Sequence, residues 1–423
     1  MNILILSSPN PLKTSGIVAF NLLEGLTQNG HNVKLAVKTW DKYNDDRIIP
    51  LDTPYQGLID KSRRRILRMI RTLSKSKRRI DENYSIQDYD QRRSFLKNRK
   101  LNKLSRLKPD IIIAVFMQNM VSFKDLYKLQ VQTKANVILY IMDMAPFTGA
   151  CHYAWDCRNY QKNCGNCPAL YSNNENDQTR KNWEFKKKYI DKTKLTVIAA
   201  SEGQFQQLLK SSLFQLKDKH KVLLGLDENI FNVSDKISAR KLMKLPQDKT
   251  IIFFGAVNIN SKRKGYFELI EILNHLYNII EDSSKIYIAI AGGFNNALHN
   301  MLPFEHTFLG YLDYWKLAYT FQASDVFLSP SIEDSGPMMV NQSIMCGTPV
   351  VSFDIGVAID LVKSRKTGYL SQRGDTIGFA KGIKEIINLD SYDYSIMSEN
   401  CLNLGLEKCS LQKQANEILK TIL

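Results

Sequence analysis

The chain has 423 residues, of which 44% are hydrophobic and 24% charged, and its 58 Lys and Arg against 42 Asp and Glu give a formal net charge of +16. That length exceeds what one hydrophobic core commonly supports and predicts two domains of about 200 residues each, while the composition argues against long disorder. The charge favours an anionic partner: a membrane surface, a nucleic acid or a phosphorylated substrate.

The chain opens on MNILILSS, which lacks the basic region and small-residue cleavage site of a secretory leader and reads as a first strand, so the expectation is a cytoplasmic chain. The strand runs into a small-residue turn, Ser7 to Gly16, and then an amphipathic helix, Ile17 to Gln28. Free backbone N–H groups at Ser15 and Gly16 would suit phosphate there, with a plain structural turn equally open. No G-x-G-x-x-G or Walker pattern is present, so a nicotinamide or ATP site is not supported. Further strands are predicted at Val33 to Val37, Ile111 to Val115, Val137 to Ile141 and Thr196 to Ala200.

Between the second and third of these strands lies a strongly basic segment. Arg63, Arg64, Arg65, Arg68, Arg71, Lys75, Lys77, Arg78 and Arg79 interleave with apolar residues at near-helical spacing, and a second basic run extends from Arg92 to Lys108. A basic amphipathic helix suits an anionic membrane surface, with Arg64, Arg68 and Arg71 as the contacts; a merely solvated helix is the alternative. No recognisable motif supports nucleic acid. The longest apolar runs, such as Ile111 to Met117 and Ile286 to Ala291, fall far short of the roughly 20 residues that span a bilayer.

Four of the seven cysteines fall in one stretch, CHYAWDCRNYQKNCGNC. Cys151, Cys157, Cys164 and Cys167 have spacing that suits one structural zinc with no open coordination position, His152 being a substitute ligand. A redox or iron–sulfur role and unligated thiols remain open. Cys346, Cys401 and Cys409 are isolated and read as packing residues.

After Ser201 the alternation of strand and helix restarts, with strands at Lys221 to Leu224, Thr250 to Phe254, Ile286 to Ala291, Val326 to Leu328 and Thr348 to Phe353. Two doubly wound α/β units follow, with ligands expected at the carboxyl ends of the strands. The predicted division is 1–205, 206–405, and a last helix in 406–423 that packs back on the first domain. In FFGAVNINSKRKG a glycine follows a strand, and Arg263 and Lys264 precede the next helix, an arrangement that suits a diphosphate or a solvated basic turn. In SPSIEDSGPMMVNQSIMCGTPVVSFDIG the acidic pair Glu333 and Asp334 stands before a small-residue turn and a helix.

These features together resemble the retaining glycosyltransferases of family 4, group 1 glycosyltransferases of GT-B fold. That fold implies two Rossmann-like domains facing a central cleft, an acceptor-binding N-terminal domain and a donor-binding C-terminal one. The match is carried by GLDENIF (225–231), Lys264-Gly265, AGG (291–293), ASDVFLSPS (323–331) and Gly347-Thr348-Pro349-Val350-Val351. Counting back from that glycine sets Asp334 and Gln342 at the two acidic positions of the family's E-x7-E motif, so the second acid is an amide here. The cysteine segment is similar to a subgroup associated with bacterial exopolysaccharide and surface-glycan assembly, in which a His-Asp pair precedes the loop; Met142 stands at the His position and Asp143 is retained.

The resemblance implies a retaining transfer from a nucleotide sugar, UDP- or GDP-linked, to a lipid-linked or oligosaccharide acceptor, with no catalytic metal and no nucleic acid. The basic segment adds the expectation of a peripheral location at the inner face of the cytoplasmic membrane. Lys264 and Arg263, with Ser15, Gly16, Ser335, Gly336, Pro337, Met338 and Met339, would hold the diphosphate. Glu333 and Asp334 would face the sugar, Gln342 a ribose hydroxyl, and Asp143 the acceptor or the donor's reacting hydroxyls. The alternative is a catalytically degenerate glycan-binding or scaffold protein.

Overall fold

The computed structural model describes residues 1–39, 41–52, 62, 80–336 and 338–422. They form two units: 1–200 with 204–222 and 414–423, and 201–203 with 223–413. Each unit is built on one parallel sheet.

The first sheet has seven strands in the order β3-β2-β1-β4-β5-β6-β7. They are β1 (Asn2–Ser7), β2 (Asn32–Val37), β3 (Ile48–Pro50), β4 (Ile111–Phe116), β5 (Asn136–Ile141), β6 (Leu195–Ala199) and β7 (Asp218–Lys221). The central strands are continuous apolar runs, such as ILILS in β1 and IIIAV in β4, because helices cover both faces and leave no polar side to alternate with. Leu4, Leu6, Ile112, Ala114, Leu139 and Val197 meet the helix side chains Leu126, Leu129 and Leu208 in one core.

The second sheet has six strands in the order β10-β9-β8-β11-β12-β13. These are β8 (Thr250–Gly255), β9 (Ile286–Ala291), β10 (Glu305–Gly310), β11 (Val326–Ser329), β12 (Val350–Phe353) and β13 (Gly368–Ser371). Phe253, Phe321 and Phe327 stack edge-to-face or tilted at centroid distances of 5.1–5.5 Å in its core. In both sheets the strand order reverses once, between β1 and β4 and between β8 and β11. Loops diverge at such a point and leave a crevice.

The segment expected to open the second unit, Lys221 to Leu224, does not do so. Lys221 ends β7, whose residues Asp218 to Lys221 pair with β6 as an edge of the first sheet. Three edge strands, β3, β10 and β13, were not expected from sequence. One side of an edge strand meets solvent, and the side chains there are polar or half-buried, as in EHTFLG of β10. Among the described residues no helix is long and apolar enough to cross a membrane.

Candidate active site

In the C-terminal unit the loops after β8 and β11 come together at the switch point. The backbone N–H groups of Ile332 and Glu333 donate to the Arg263 carbonyl at 3.0 and 3.3 Å. Gly265 makes this possible: its φ is +75°, and a Cβ there would stand 1.8 Å from the Pro330 carbonyl oxygen. The β8 loop therefore lies directly on the β11 loop and delivers Arg263 and Lys264 to Asp334.

Asp334 Oδ2 accepts from Arg263 Nη1 at 2.6 Å and from Lys264 Nζ at 2.5 Å, and its Oδ1 accepts from the Gly336 N–H at 3.2 Å. The Asp334 side chain is 7% exposed and the two cations 20% and 24%. Burial alone would raise the Asp334 carboxyl, but the charges of Lys264 and Arg263 overcome it and hold it at about 2. Burial pushes Lys264 the other way, below its usual value, with Asp334 opposing and Arg263 adding to the effect. Two cations and one carboxylate therefore face one another as ion pairs.

The neighbouring groups are closely packed. Glu333 is 6% and Ser335 3% exposed, and the Ser335 carbonyl accepts from Ser201 Oγ. Met338 and Met339 are half-buried against the core of this unit. The helix Met338–Met345 ends where Gly347 takes φ +69° and Thr348 Oγ1 donates to the Phe321 carbonyl at 2.7 Å. That stop fixes Gln342, fully buried with neither its amide oxygen nor its amide nitrogen hydrogen-bonded, as is also true of Ser335 Oγ. Unmet buried polar groups cost about 1–3 kcal/mol each, and Ser335 directly follows Asp334 in the chain. Pro337 lies outside the described residues.

In the N-terminal unit the turn expected to bind phosphate is committed to itself. The Gly16 N–H donates to the Lys13 carbonyl at 2.9 Å, and a Cβ on Gly16 would stand 1.8 Å from the Asn10 carbonyl oxygen. Gly16 is thus explained by a close backbone approach rather than by a free amide; Ser15 is exposed.

A pocket lies instead at the carboxyl ends of β4 and β5, of ≈ 600 Å³ counted with its open mouth. Its walls include Phe116, Met142, Pro146 and Phe185, and its polar groups include Asp88, Gln118, Asp143 and Lys186. One side is fixed by the helix Phe123–Thr133, which begins on a reciprocal capping box between Ser122 and Asp125. Asp143 is 9% exposed. Its Oδ1 accepts from the Ala145 N–H at 2.8 Å, and its Oδ2 meets His152 Nδ1 at 2.8 Å. A carboxylate only accepts, so Nδ1 carries the proton in this pair. Burial raises Asp88, and it brings the Lys186 ammonium down to about 8, where it donates to the Ala145 and Thr148 carbonyls at 2.6 and 2.8 Å.

Cys151, Cys157, Cys164 and Cys167 are free thiols and all line one small cavity in this unit. Among the described residues no group of three or more His, Cys, Asp or Glu side chains is placed to hold a metal ion. His152 does not line the cysteine cavity; its Nδ1 is engaged by Asp143. Cys346, Cys401 and Cys409 are buried in the C-terminal unit, Cys346 4% and the other two 0% exposed. Arg64, Arg68 and Arg71 lie outside the described residues.

Sequence reasoning found no imidazole for Asp143, because Met142 stands where one was expected. The structure supplies it from nine residues downstream. Lys186 and Asp88 carried no signal, since each sits in an ordinary charged stretch; a lysine in the buried stripe of the helix Gln178–Ile190 is the one trace available.

Residues 235–401 match the family model "Glycosyl transferases group 1". A phosphatidyl-myo-inositol mannosyltransferase of Mycobacterium leprae is 28% identical over 169 residues, 38% of this chain and 44% of the relative. A D-inositol 3-phosphate glycosyltransferase of Stackebrandtia nassauensis is 25% identical over 177 residues, 38% of this chain and 39% of the relative. The matched stretch therefore spans less than half the length of either relative. Among solved structures, sucrose-phosphate synthase of Thermosynechococcus elongatus has a TM-score of 0.66 at 16% identity, covering 99% of this chain and 97% of that one. HepE of Anabaena, in complex with UDP and glucose, has a TM-score of 0.61 at 14% identity over 100% and 99% of the two chains. The fold is GT-B, and residues 235–401 carry the group 1 glycosyl transferase signature within it.

Proposed function

We propose that the protein is a glycosyltransferase that moves a sugar, with retention of anomeric configuration, from a nucleotide-sugar donor to a lipid-linked or oligosaccharide acceptor in surface-polysaccharide assembly. The observation that carries the reading is the Arg263–Lys264–Asp334 triad at the switch point of a sheet whose segment 235–401 matches group 1 glycosyl transferases. When the donor's glycosidic bond breaks, negative charge develops on the departing diphosphate and positive charge on the sugar ring. Two cations held beside one carboxylate leave a net positive charge for the first. Asp334 orients both cations as well as screening them, and Glu333 beside it suits the sugar. Gln342 and Ser335, whose buried polar atoms lack partners, have hydrogen bonds to give to the donor's hydroxyls.

The acceptor is assigned to the N-terminal pocket. Its apolar walls suit a sugar-ring face, and Asp143, oriented by His152, accepts from an acceptor hydroxyl. In this reading the cysteine loop holds a structural zinc, no catalytic metal is needed, and the protein works peripherally at the inner face of the cytoplasmic membrane.

The test is a thermal-shift panel of UDP-, GDP-, dTDP- and ADP-sugars on the intact chain and on Lys264→Met, followed by assay of nucleotide diphosphate release. One nucleotide should stabilise the protein selectively. Removing one charge-assisted contact, worth about 1.5–3 kcal/mol, should weaken that response on the order of tenfold or more. No stabilisation and no release with any donor would overturn the reading in favour of a non-catalytic glycan-binding protein.

A further inference from the structure

We infer that Asp360 is a positioning residue for the Arg263–Lys264–Asp334 triad: it pins residues 201–203 onto the loop of Gly356, and that loop is the floor on which the Asp334–Gly336 turn rests. The stacking lies within the C-terminal unit; its consequence for donor binding rests on the glycosyl-transfer reading.

The stack is made of backbone on backbone, and glycines permit the approach. Residues 201–203 belong to the C-terminal unit, and the Gly203 N–H donates to the Gly356 carbonyl at 3.3 Å. A Cβ on Gly203 would stand 2.6 Å from the Gly356 nitrogen, closer than side chains pack. Gly356 in turn has φ +53°, and a Cβ there would stand 3.1 Å from the Gly336 Cα and nitrogen and 3.2 Å from the Asp334 carbonyl oxygen. Ser201 reaches the same turn: its Oγ donates to the Ser335 carbonyl, and a Cβ on Gly336 would meet the Ser201 Cβ at 3.4 Å. The Gly336 N–H that donates to Asp334 Oδ1 at 3.2 Å lies in this turn. Backbone rather than pliable side chain lies beneath it, so a shift in one layer passes to the next.

Asp360 fastens these layers. It sits in the short helix Ala358–Leu361, and its Oδ2 accepts from the Glu202 N–H at 2.7 Å. Glu202 opens the helix Glu202–Leu209, and N–H groups in a first turn have no acceptor within their own helix. A carboxylate supplies one through a charge-assisted bond, roughly twice as strong as a neutral one. Gly356 and Asp360 flank one tight turn, in which the Asp360 N–H donates to the Val357 carbonyl at 3.0 Å. The same short segment therefore holds residues 201–203 at one end and supports the Asp334–Gly336 turn at the other. Asp360 acts on Asp334 through Gly356 and Gly336, and the direction in which Asp334 presents Arg263 and Lys264 follows from it.

The experiment compares Asp360→Ala, Asp360→Asn and Gly203→Ala in the full chain with Gly374→Ala, where a Cβ meets nothing within 4 Å. UDP and GDP are titrated into each. Asp360→Ala should bind the preferred nucleotide roughly 2- to 30-fold more weakly than Gly374→Ala does. Asp360→Asn, whose amide oxygen still accepts from the Glu202 N–H, should recover most of that loss. Gly203→Ala should reproduce the loss from the other side of the contact; if it does not fold, the two Asp360 variants decide. In urea unfolding, Asp360→Ala combined with Asp334→Asn should shift the midpoint by less than the sum of the two single shifts, because both release the same turn, whereas Gly374→Ala and Asp334→Asn should add. Additive shifts in the first pair, nucleotide affinity in Asp360→Ala equal to that in Gly374→Ala, or no recovery in Asp360→Asn would each overturn the positioning role. If the parent binds neither nucleotide, the donor reading fails by itself and the urea comparison still decides the stack.

Discussion

At the scale of single residues, Asp334 sets the electrostatics of the C-terminal unit, because one carboxylate there answers two cations. Its folded pKa, about 2, lies below the ordinary 3.8, the charges of Lys264 and Arg263 having overcome the upward push of burial. A carboxylate depressed in this way stabilises the fold above its unfolded pKa and loses that contribution as pH falls through the folded one. Linkage gives about 2 kcal/mol, complete above about pH 5 and lost between about pH 4 and pH 2. In Asp334→Asn the carboxylate is absent and two buried cations face a neutral amide. Urea unfolding at a series of pH values should find the variant weaker by about 2 kcal/mol or more at neutral pH, with the gap closing as acid titrates the wild-type carboxyl. A gap that stays constant down to pH 2 would mean that Asp334 is not ion-paired in solution.

At the scale of elements, the loop after β8 works because a glycine lets it lie against the loop after β11. Gly265→Ala should cost more than the roughly 1–2 kcal/mol of placing a Cβ in the left-handed region, since that Cβ would also stand 1.8 Å from the Pro330 carbonyl. Gly374 is the control: its φ is +86° and nothing lies within 4 Å of a Cβ there. Gly374→Ala should show the backbone strain alone and keep its nucleotide response. Gly265→Ala should be less stable and lose that response, because Arg263 and Lys264 ride on the displaced turn. Equal effects in thermal unfolding and nucleotide titration would mean that loop contact does not position the cations.

The same elements show why part of this was legible in sequence. Parallel strands buried on both faces must be apolar throughout, so β1, β4, β5, β8 and β9 stand out as runs. The edge strands β3, β10 and β13 do not, because solvent replaces a covering helix along one side. Lys264 and Asp334 were readable from loop chemistry and family spacing. The Asp143–His152 pair was not, because its geometry is created by the cysteine loop folding back rather than by any spacing along one helix or strand.

At the scale of the whole molecule, the net charge of +16 is unevenly distributed. Residues 61–79 contribute ten cations and no acid, so the rest of the chain carries 16 − 10 = +6. If attraction to an anionic bilayer came from the diffuse field of the protein, any three cations would serve equally, and exposed charges would be screened beyond about 8–10 Å at physiological salt. If it comes from this segment, each Lys or Arg near the surface contributes about 1 kcal/mol. Reversing Arg64, Arg68 and Arg71 to Glu should then reduce binding to phosphatidylserine-containing vesicles by on the order of a hundredfold or more, while donor nucleotides stabilise the variant as they do the parent. Sedimentation should show equal loss when three exposed lysines elsewhere are reversed only if the diffuse field dominates. Protein that stays in the supernatant with these vesicles at low salt would remove the membrane from the proposal and leave the basic segment to the glycan acceptor's phosphates.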